Sequence, residues 1–357
     1  MPSLARLIRT DFWFRQKLPP LFALAYALLL VGAVEPISAA RVLLLVLLCI
    51  CFVAAYGHVI NDTYDVETDA APGKHNAMAS VRTGPRVGLL VFLVGGGFGC
   101  LAALGAQPAL LGLLGVNYLL PTLYSAPPIR FKERGLSSVL SDLLASHVVP
   151  MVFVGLILRE LSSADPVLEN RLIISAASWA FFVGLRGILV HQAVDSVNDR
   201  AANVVTFGGR MGREAVRAFV VRVVLPFEGL TLAVFLYFLL PFSLVLAGVV
   251  IVYAAGEVSR MWRAVPLSHI FPDEPGRERH VPFLKNDFHE AWLPAALALQ
   301  LAINTPSYIF LFIVHVILFR HAIWDVMVLL GKFVRVQIDG LFPGSANAAA
   351  ARSNRDT

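Results

Sequence analysis

The chain has 357 residues, of which 57% are hydrophobic and only 15% charged, and its mean hydropathy is +0.72. Soluble domains carry roughly a quarter charged residues, so this composition excludes a soluble globular protein and predicts a polytopic membrane protein whose partner is the lipid bilayer. The net charge of +5 resides in loops flanking apolar segments, so no nucleic-acid partner is expected.

In chain order, residues 1–19 form a basic N-terminal segment in which Phe12, Trp13 and Phe14 sit among charges. No small-residue cleavage site follows a short apolar core, so the first helix is expected to be retained. Apolar runs then occur at about 20–38, 41–60, 87–106, 108–124, 138–158, 172–194, 218–238, 240–256, 290–304 and 306–329. Most are near the ~20 residues that cross a bilayer. Nothing alternates with the period of a barrel strand, so the predicted fold is an all-α membrane bundle spanning residues 20–330. The run 290–304 is short, which leaves nine or ten spans according to whether 290–329 is a hairpin or one crossing with a re-entrant piece. Residues 331–357 form a polar tail, predicted to be disordered. Cys49, Cys51 and Cys100 lie inside apolar runs and are expected to be packing residues, not a disulfide or zinc framework.

Basic residues alternate along the chain. Arg6, Arg9, Arg15 and Lys17 precede the first span, Lys74, Arg82 and Arg86 follow the second, Arg130, Lys132 and Arg134 follow the fourth, and Arg200, Arg210, Arg213 and Arg217 follow the sixth. The intervening turns are nearly free of them, which puts the N-terminus and these four loops in the cytoplasm.

Two acidic clusters share that side. The first is Asn61-Asp62-Thr63-Tyr64-Asp65-Val66-Glu67-Thr68-Asp69; the second runs from His191 through Asp195 to Asp199. At 3.6 residues per turn, Asn61, Asp65 and Asp69 share one helix face with Asp62 beside them, and His191, Asp195 and Asp199 form a second stripe. Carboxylates at a membrane edge are costly unless paired or metal-bound, so they mark a functional site. Oxygen ligands of this type suit Mg2+, which shares its shell with substrate phosphates. The expected ligand is therefore a diphosphate. The two clusters end the second and sixth spans, as a tandem four-helix repeat requires.

The pattern Asn61-Asp62-x-x-Asp65-x-x-x-Asp69, the pair Asp195-x-x-x-Asp199 and the segment from Tyr124 to Gly135 resemble the UbiA superfamily of intramembrane prenyltransferases over roughly residues 10–325. The resemblance implies about nine helices around a central cavity, two Mg2+ ions, an isoprenyl diphosphate donor and a lateral opening to lipid. On that reading Asn61, Asp62, Asp65 and Asp69 hold one ion, and Asp195 with Asp199 the other. Lys74, Arg130 and Lys132 are candidates for the donor's remaining diphosphate oxygens. Tyr118 and Tyr124 are candidates to face the isoprenyl cation, and His58 and His191 to act on the acceptor. Asp142 and His147 in the fifth span are similar candidates. Arg186 lies opposite Asp195 on its helix and is expected to pair with an acid elsewhere in the bundle. Gly73-Lys74-His75-Asn76 stands where many members carry an Arg-Pro pair, and Asn203 stands where a third aspartate of the second motif is common.

Three activities fit these features. One is transfer of an isoprenyl chain to a small, aromatic acceptor with release of diphosphate. Another is cyclisation of the chain without an acceptor. A lipid carrier or transporter is disfavoured, because its carboxylates are expected near the midplane on broken helices, whereas these cluster at cytoplasmic helix ends.

Overall fold

The computed structural model describes residues 4–331 except 71, 72, 74, 202–205, 263–269, 272–285, 325, 326, 329 and 330; the side chains of 4, 11, 12, 197–201 and 259–262 are likewise left undescribed. Among the described residues the architecture is entirely helical. Helices α1 (Thr10–Gly32), α2 (Pro36–Tyr64), α3 (Thr83–Ala103), α4 (Pro108–Ser125), α5 (Leu136–Arg159), α6 (Pro166–Ala201), α7 (Arg213–Phe242) and α8 (Leu244–Trp262) follow one another. A π turn Phe288–Trp292 running into Leu293–Asn304 makes α9, and Ile309–Leu318 is α10. Each expected apolar run overlaps one of these helices. Six of them, α1, α2, α3, α5, α6 and α7, are by themselves long and apolar enough to cross a membrane, so this is an integral membrane protein. Exposed Ile37, Leu44, Val91, Phe92, Ile174, Leu244 and Ile251 suit a surface facing lipid.

Local chemistry sets the helix boundaries. The Glu35 carboxylate caps α2 by accepting from Ile37 N and Ser38 N at 2.9 and 2.7 Å, ahead of Pro36 in the first turn. Those two backbone bonds hold its pKa below the usual carboxylate value. Three helices contain a π turn, at Leu144–Val148, Val220–Val224 and Phe288–Trp292, and a proline follows two residues later each time, at Pro150, Pro226 and Pro294. Proline offers no N–H and its ring crowds the carbonyl four residues back, so the preceding turn widens.

Packing brings α2 against α3 and α4, α6 against α7, and α1 against both α5 and α9. At the α2–α3 contact, Gly96 leaves room for the Phe52 ring, since a Cβ there would meet its atoms at 2.6 Å. Gly97 admits the Tyr118 hydroxyl, which donates to Leu93 O at 2.8 Å. Tyr118 is thus a packing residue between helices, edge-on to Tyr56 and stacked on Phe98, and not the cavity aromatic expected from the sequence. The cysteines are free, and Cys49 is buried, in keeping with a packing role.

Candidate active site

The bundle encloses a cavity of about 490 Å³ lined from α1, α2, α4, α5, α6 and the π turn of α9. That volume lies in the range of small-molecule sites. Helix α2 contributes His58 and Asn61 to its wall, α4 contributes Asn117 and Tyr124, α5 contributes Asp142 and His147, and α6 contributes Trp179, Arg186 and His191. The sequence candidates His58, Asn61, Tyr124, Asp142, His147 and His191 therefore do converge.

Of the first acidic motif Asn61 lines the cavity while Asp62, Asp65 and Asp69 stand behind that wall, and the motif is not the single continuous stripe that the spacing predicts. Helix α2 stops at Tyr64, Asp65 caps it with φ −103° and ψ 3°, and a new short helix runs over Val66–Ala70. Competing side-chain bonds explain the break: Thr68 Oγ1 donates to both the carbonyl and carboxylate of Asp65 at 3.2 Å. Each carboxylate then has its own partner. Asp62 is fully buried, and Arg9 Nη2 lies 2.8 Å from its Oδ1. Asp65 receives the Lys132 ammonium and, at 3.3 Å, Arg130 Nη2. Asp69 Oδ2 accepts from Asn76 Nδ2 at 2.9 Å, and the same amide donates to Asp62 O, folding the following loop onto the motif.

Arg130 ties the loop after α4 to the end of α2. Its guanidinium donates to Tyr64 O and Ser125 O, both at 3.3 Å, and its Nε contacts Glu133. Ser125 Oγ donates to Asn61 Oδ1 at 3.3 Å. Arg9 and Arg130, the two arginines on motif carboxylates, both adopt left-handed backbone, with φ 49° and 42°; Ala33 is the other non-glycine residue with positive φ among the described residues. Such conformations cost on the order of 1–3 kcal/mol and cluster at functional sites where surrounding contacts over-determine them. Burial lowers the pKa of Lys132, and the Asp65 carboxylate opposes that shift.

The second motif is less complete. His191 stands exposed at the cavity rim and Asp195 is half-buried. Gln192 fixes this end of α6 by donating to Ser138 Oγ at 2.8 Å and accepting from Gly208 N at 2.9 Å. The Asp199 side chain, Lys74, Asn203 and the tail lie outside the described residues. Among the described residues no three His, Cys, Asp or Glu side chains converge as a ready metal cluster.

Oxygen chemistry nevertheless fits a hard cation. Asp62 Oδ2 is buried and has no hydrogen-bond donor among the described residues, and the neighbouring motif side chains are carboxylates and an amide.

Three contributions were not legible as site residues. Arg9 and Lys17 read as topology signals, yet Arg9 holds Asp62 and both line the cavity. Asn117 is fully buried on the cavity wall, and neither its Oδ1 nor its Nδ2 has a partner among the described residues. The acid expected for Arg186 is Glu228 on α7, joined by two bonds of 2.8 and 2.9 Å, with Asn286 Oδ1 accepting a third at 2.6 Å. Arg186 also faces the cavity, which its offset from Asp195 did not reveal.

Residues 18–269 match the UbiA prenyltransferase family model. Among solved structures, the chain is similar to a UbiA homolog from Archaeoglobus fulgidus. With DMAPP and Mg2+ bound, that protein gives a TM-score of 0.55 at 17% identity, covering 85% of this chain and 100% of that chain. With GPP and Mg2+ the values are 0.55, 17%, 85% and 99%. A further structure of that homolog gives 0.54 at 17% identity, covering 86% and 99%. No curated protein sequence matches the chain. The family match over most of its length, on a helical bundle around a cavity, establishes that this chain belongs to the UbiA prenyltransferase family.

Proposed function

We propose that the protein transfers an isoprenyl group from its diphosphate to a small acceptor within the membrane, using Mg2+ and releasing diphosphate. The observation that carries this reading is the pairing of Asp62 and Asp65 with Arg9, Arg130 and Lys132, next to Asn61 and Arg9 on the cavity wall. The Archaeoglobus fulgidus homolog of the same fold, bound to DMAPP or GPP with Mg2+, supports the donor class. The basic loops support a cytoplasmic position for this end, where a water-soluble diphosphate can enter.

Asn61, Asp62, Asp65 and Asp69 would hold one Mg2+, and Asp195 with Asp199 a second. Bound metal would supply Lewis-acid stabilisation of negative charge on the leaving diphosphate. The chain's own residues do the rest. Arg9, Arg130 and Lys132 exchange carboxylate partners for diphosphate oxygens, so their charge counts most as the allylic C–O bond breaks. The positions of Arg130 and Arg9 are held by strained backbone and multiple bonds, which limits the reorganisation needed. Tyr124, Trp13 and Trp179 on the cavity wall offer aromatic faces to the isoprenyl cation. The apolar wall from α1, α2 and α5 keeps water from that cation.

The test is incubation of the purified protein with Mg2+ and DMAPP or GPP, with and without phenolic acceptors, following diphosphate release and lipid products. Prenylated acceptor with metal-dependent diphosphate release is expected. A cyclic hydrocarbon formed without acceptor selects cyclisation, and absence of any metal-dependent turnover overturns the donor reading.

A further inference from the structure

The cation on the buried Asp62 comes from the start of the chain. Arg9 lies between a short helix over Leu4–Leu7 and α1, with left-handed backbone at φ 49° and ψ 45°. A non-glycine residue holds that conformation only where other contacts impose it. Three contacts do so here. Arg9 Nη2 lies 2.8 Å from Asp62 Oδ1, the short helix packs on the turn Ala77–Ser80, and Trp13 Nε1 donates to Ile8 O at 2.8 Å. That turn is in turn fixed to the acidic motif, because Asn76 accepts from Met78 N and donates to Asp62 O and Asp69 Oδ2. The N-terminal segment is thus fastened over the motif, with the Arg9–Asp62 pair as its charged tie.

The two members of that pair differ in freedom. Asp62 is fully buried behind the cavity wall, whereas Arg9 lines the cavity and its side chain is 31% exposed. The carboxylate cannot turn to water. The guanidinium can, and leaving Asp62 would also let its strained backbone relax. Asp62 Oδ2 has no hydrogen-bond donor among the described residues, so the carboxylate keeps acceptor capacity that suits a hard cation. A cation approaching it from the cavity first meets the positive charge of Arg9. Diphosphate oxygens, in contrast, attract that guanidinium and offer it charge-assisted bonds in exchange for the one it gives up.

Resting on the prenyl-transfer reading, we propose that Arg9 is an exchangeable occupant of the Asp62 carboxylate, which hinders binding of a divalent cation alone and yields its place when diphosphate arrives. Cation and diphosphate then load cooperatively, since each is bound better once Arg9 has changed partners. The segment from Leu4 to Arg9 follows the exchange, because its charged tie to the motif is the bond that breaks.

The experiment measures Mn2+ binding to the full chain in detergent, without diphosphate, by the electron paramagnetic resonance of the free ion. Arg9→Gln should bind Mn2+ at least tenfold more tightly than wild type, a difference of ~1.4 kcal/mol. Arg9→Lys, which keeps the charge, should stay near wild type. Adding Asp62→Asn to Arg9→Gln should remove the gain and so assign it to this carboxylate. Damage to the fold weakens binding, so misfolding does not imitate a gain. A second measurement needs no variant: amide hydrogen exchange over residues 5–9 of wild type should quicken with saturating Mn2+ and slow again when inorganic diphosphate is added. The proposal is overturned if Arg9→Gln retains its helical circular dichroism yet binds Mn2+ no more tightly than wild type, or if Mn2+ leaves that exchange unchanged. Failure of every protein to bind Mn2+, with or without diphosphate, overturns the metal-dependent reading itself and the proposal with it.

Discussion

Replacing Glu228 with alanine tests a charge pair with both members buried in the bundle. Arg186 and Glu228 side chains are 10% and 7% exposed, bonded at 2.8 and 2.9 Å in a two-pronged arrangement, with Asn286 as a further acceptor at 2.6 Å. Removing the acid leaves the guanidinium on the cavity wall without its carboxylate, and breaking a buried pair in this way costs on the order of 3–5 kcal/mol. Glu228→Gln preserves volume and one acceptor, so it should cost about 1–3 kcal/mol. Exchanging both residues for apolar ones, Arg186→Met with Glu228→Leu, removes the charge together with its partner. It should restore stability to within about 1 kcal/mol of wild type. Unfolding in mixed micelles titrated with SDS gives these differences if reversible, and inactivation rates at fixed temperature order them otherwise. A Glu228→Ala cost below about 1 kcal/mol, or a double variant no more stable than that single one, would refute the view that the pair's value lies in mutual neutralisation. The pair joins α6 to α7 and, through Asn286, to the segment three positions before His289, so Glu228→Ala should also lower turnover more than its residual folded fraction explains.

Asp65→Asn should lower metal-dependent diphosphate release at least ~100-fold with folding retained, the size seen when one electrostatic stabiliser of a transition state is removed; chelation should abolish release and Mg2+ restore it. Arg130→Gln and Lys132→Gln should each lower kcat/KM for the donor about tenfold to a hundredfold, as loss of a charge-assisted bond worth ~1.5–3 kcal/mol implies. Unchanged donor kinetics with normal topology would separate these residues from the diphosphate. Gly97→Ala should destabilise the bundle by about 1–3 kcal/mol, because its Cβ would sit 2.1 Å from the Tyr118 hydroxyl, and pairing it with Tyr118→Phe should recover part of the loss. Equal stability of Gly97→Ala and wild type in the same unfolding assay would show that this contact yields freely.

The sequence alone determined the class and the helical architecture and pointed to an acidic end of α2, because each rests on local chemistry. Apolar runs near bilayer length can satisfy their backbone in lipid only as helices. Aspartates at helical spacing beside a membrane are too costly to be incidental. Even the need for an acid opposite Arg186 followed from a lone cation in an apolar helix, although its identity did not. What only the tertiary structure decided depends on which distant segments meet. Arg9 reads as one more basic residue of an N-terminal loop until the fold sets it 2.8 Å from Asp62. Tyr118 and Tyr124 are six residues apart on one helix, yet close packing at Gly97 takes the first into a helix contact and leaves the second on the cavity wall. The histidines at 147 and 289 are 142 residues apart, and neither spacing nor composition links them. They share a cavity because α5 and α9 both pack on α1, and helix packing is a property of complementary surfaces that no single segment contains.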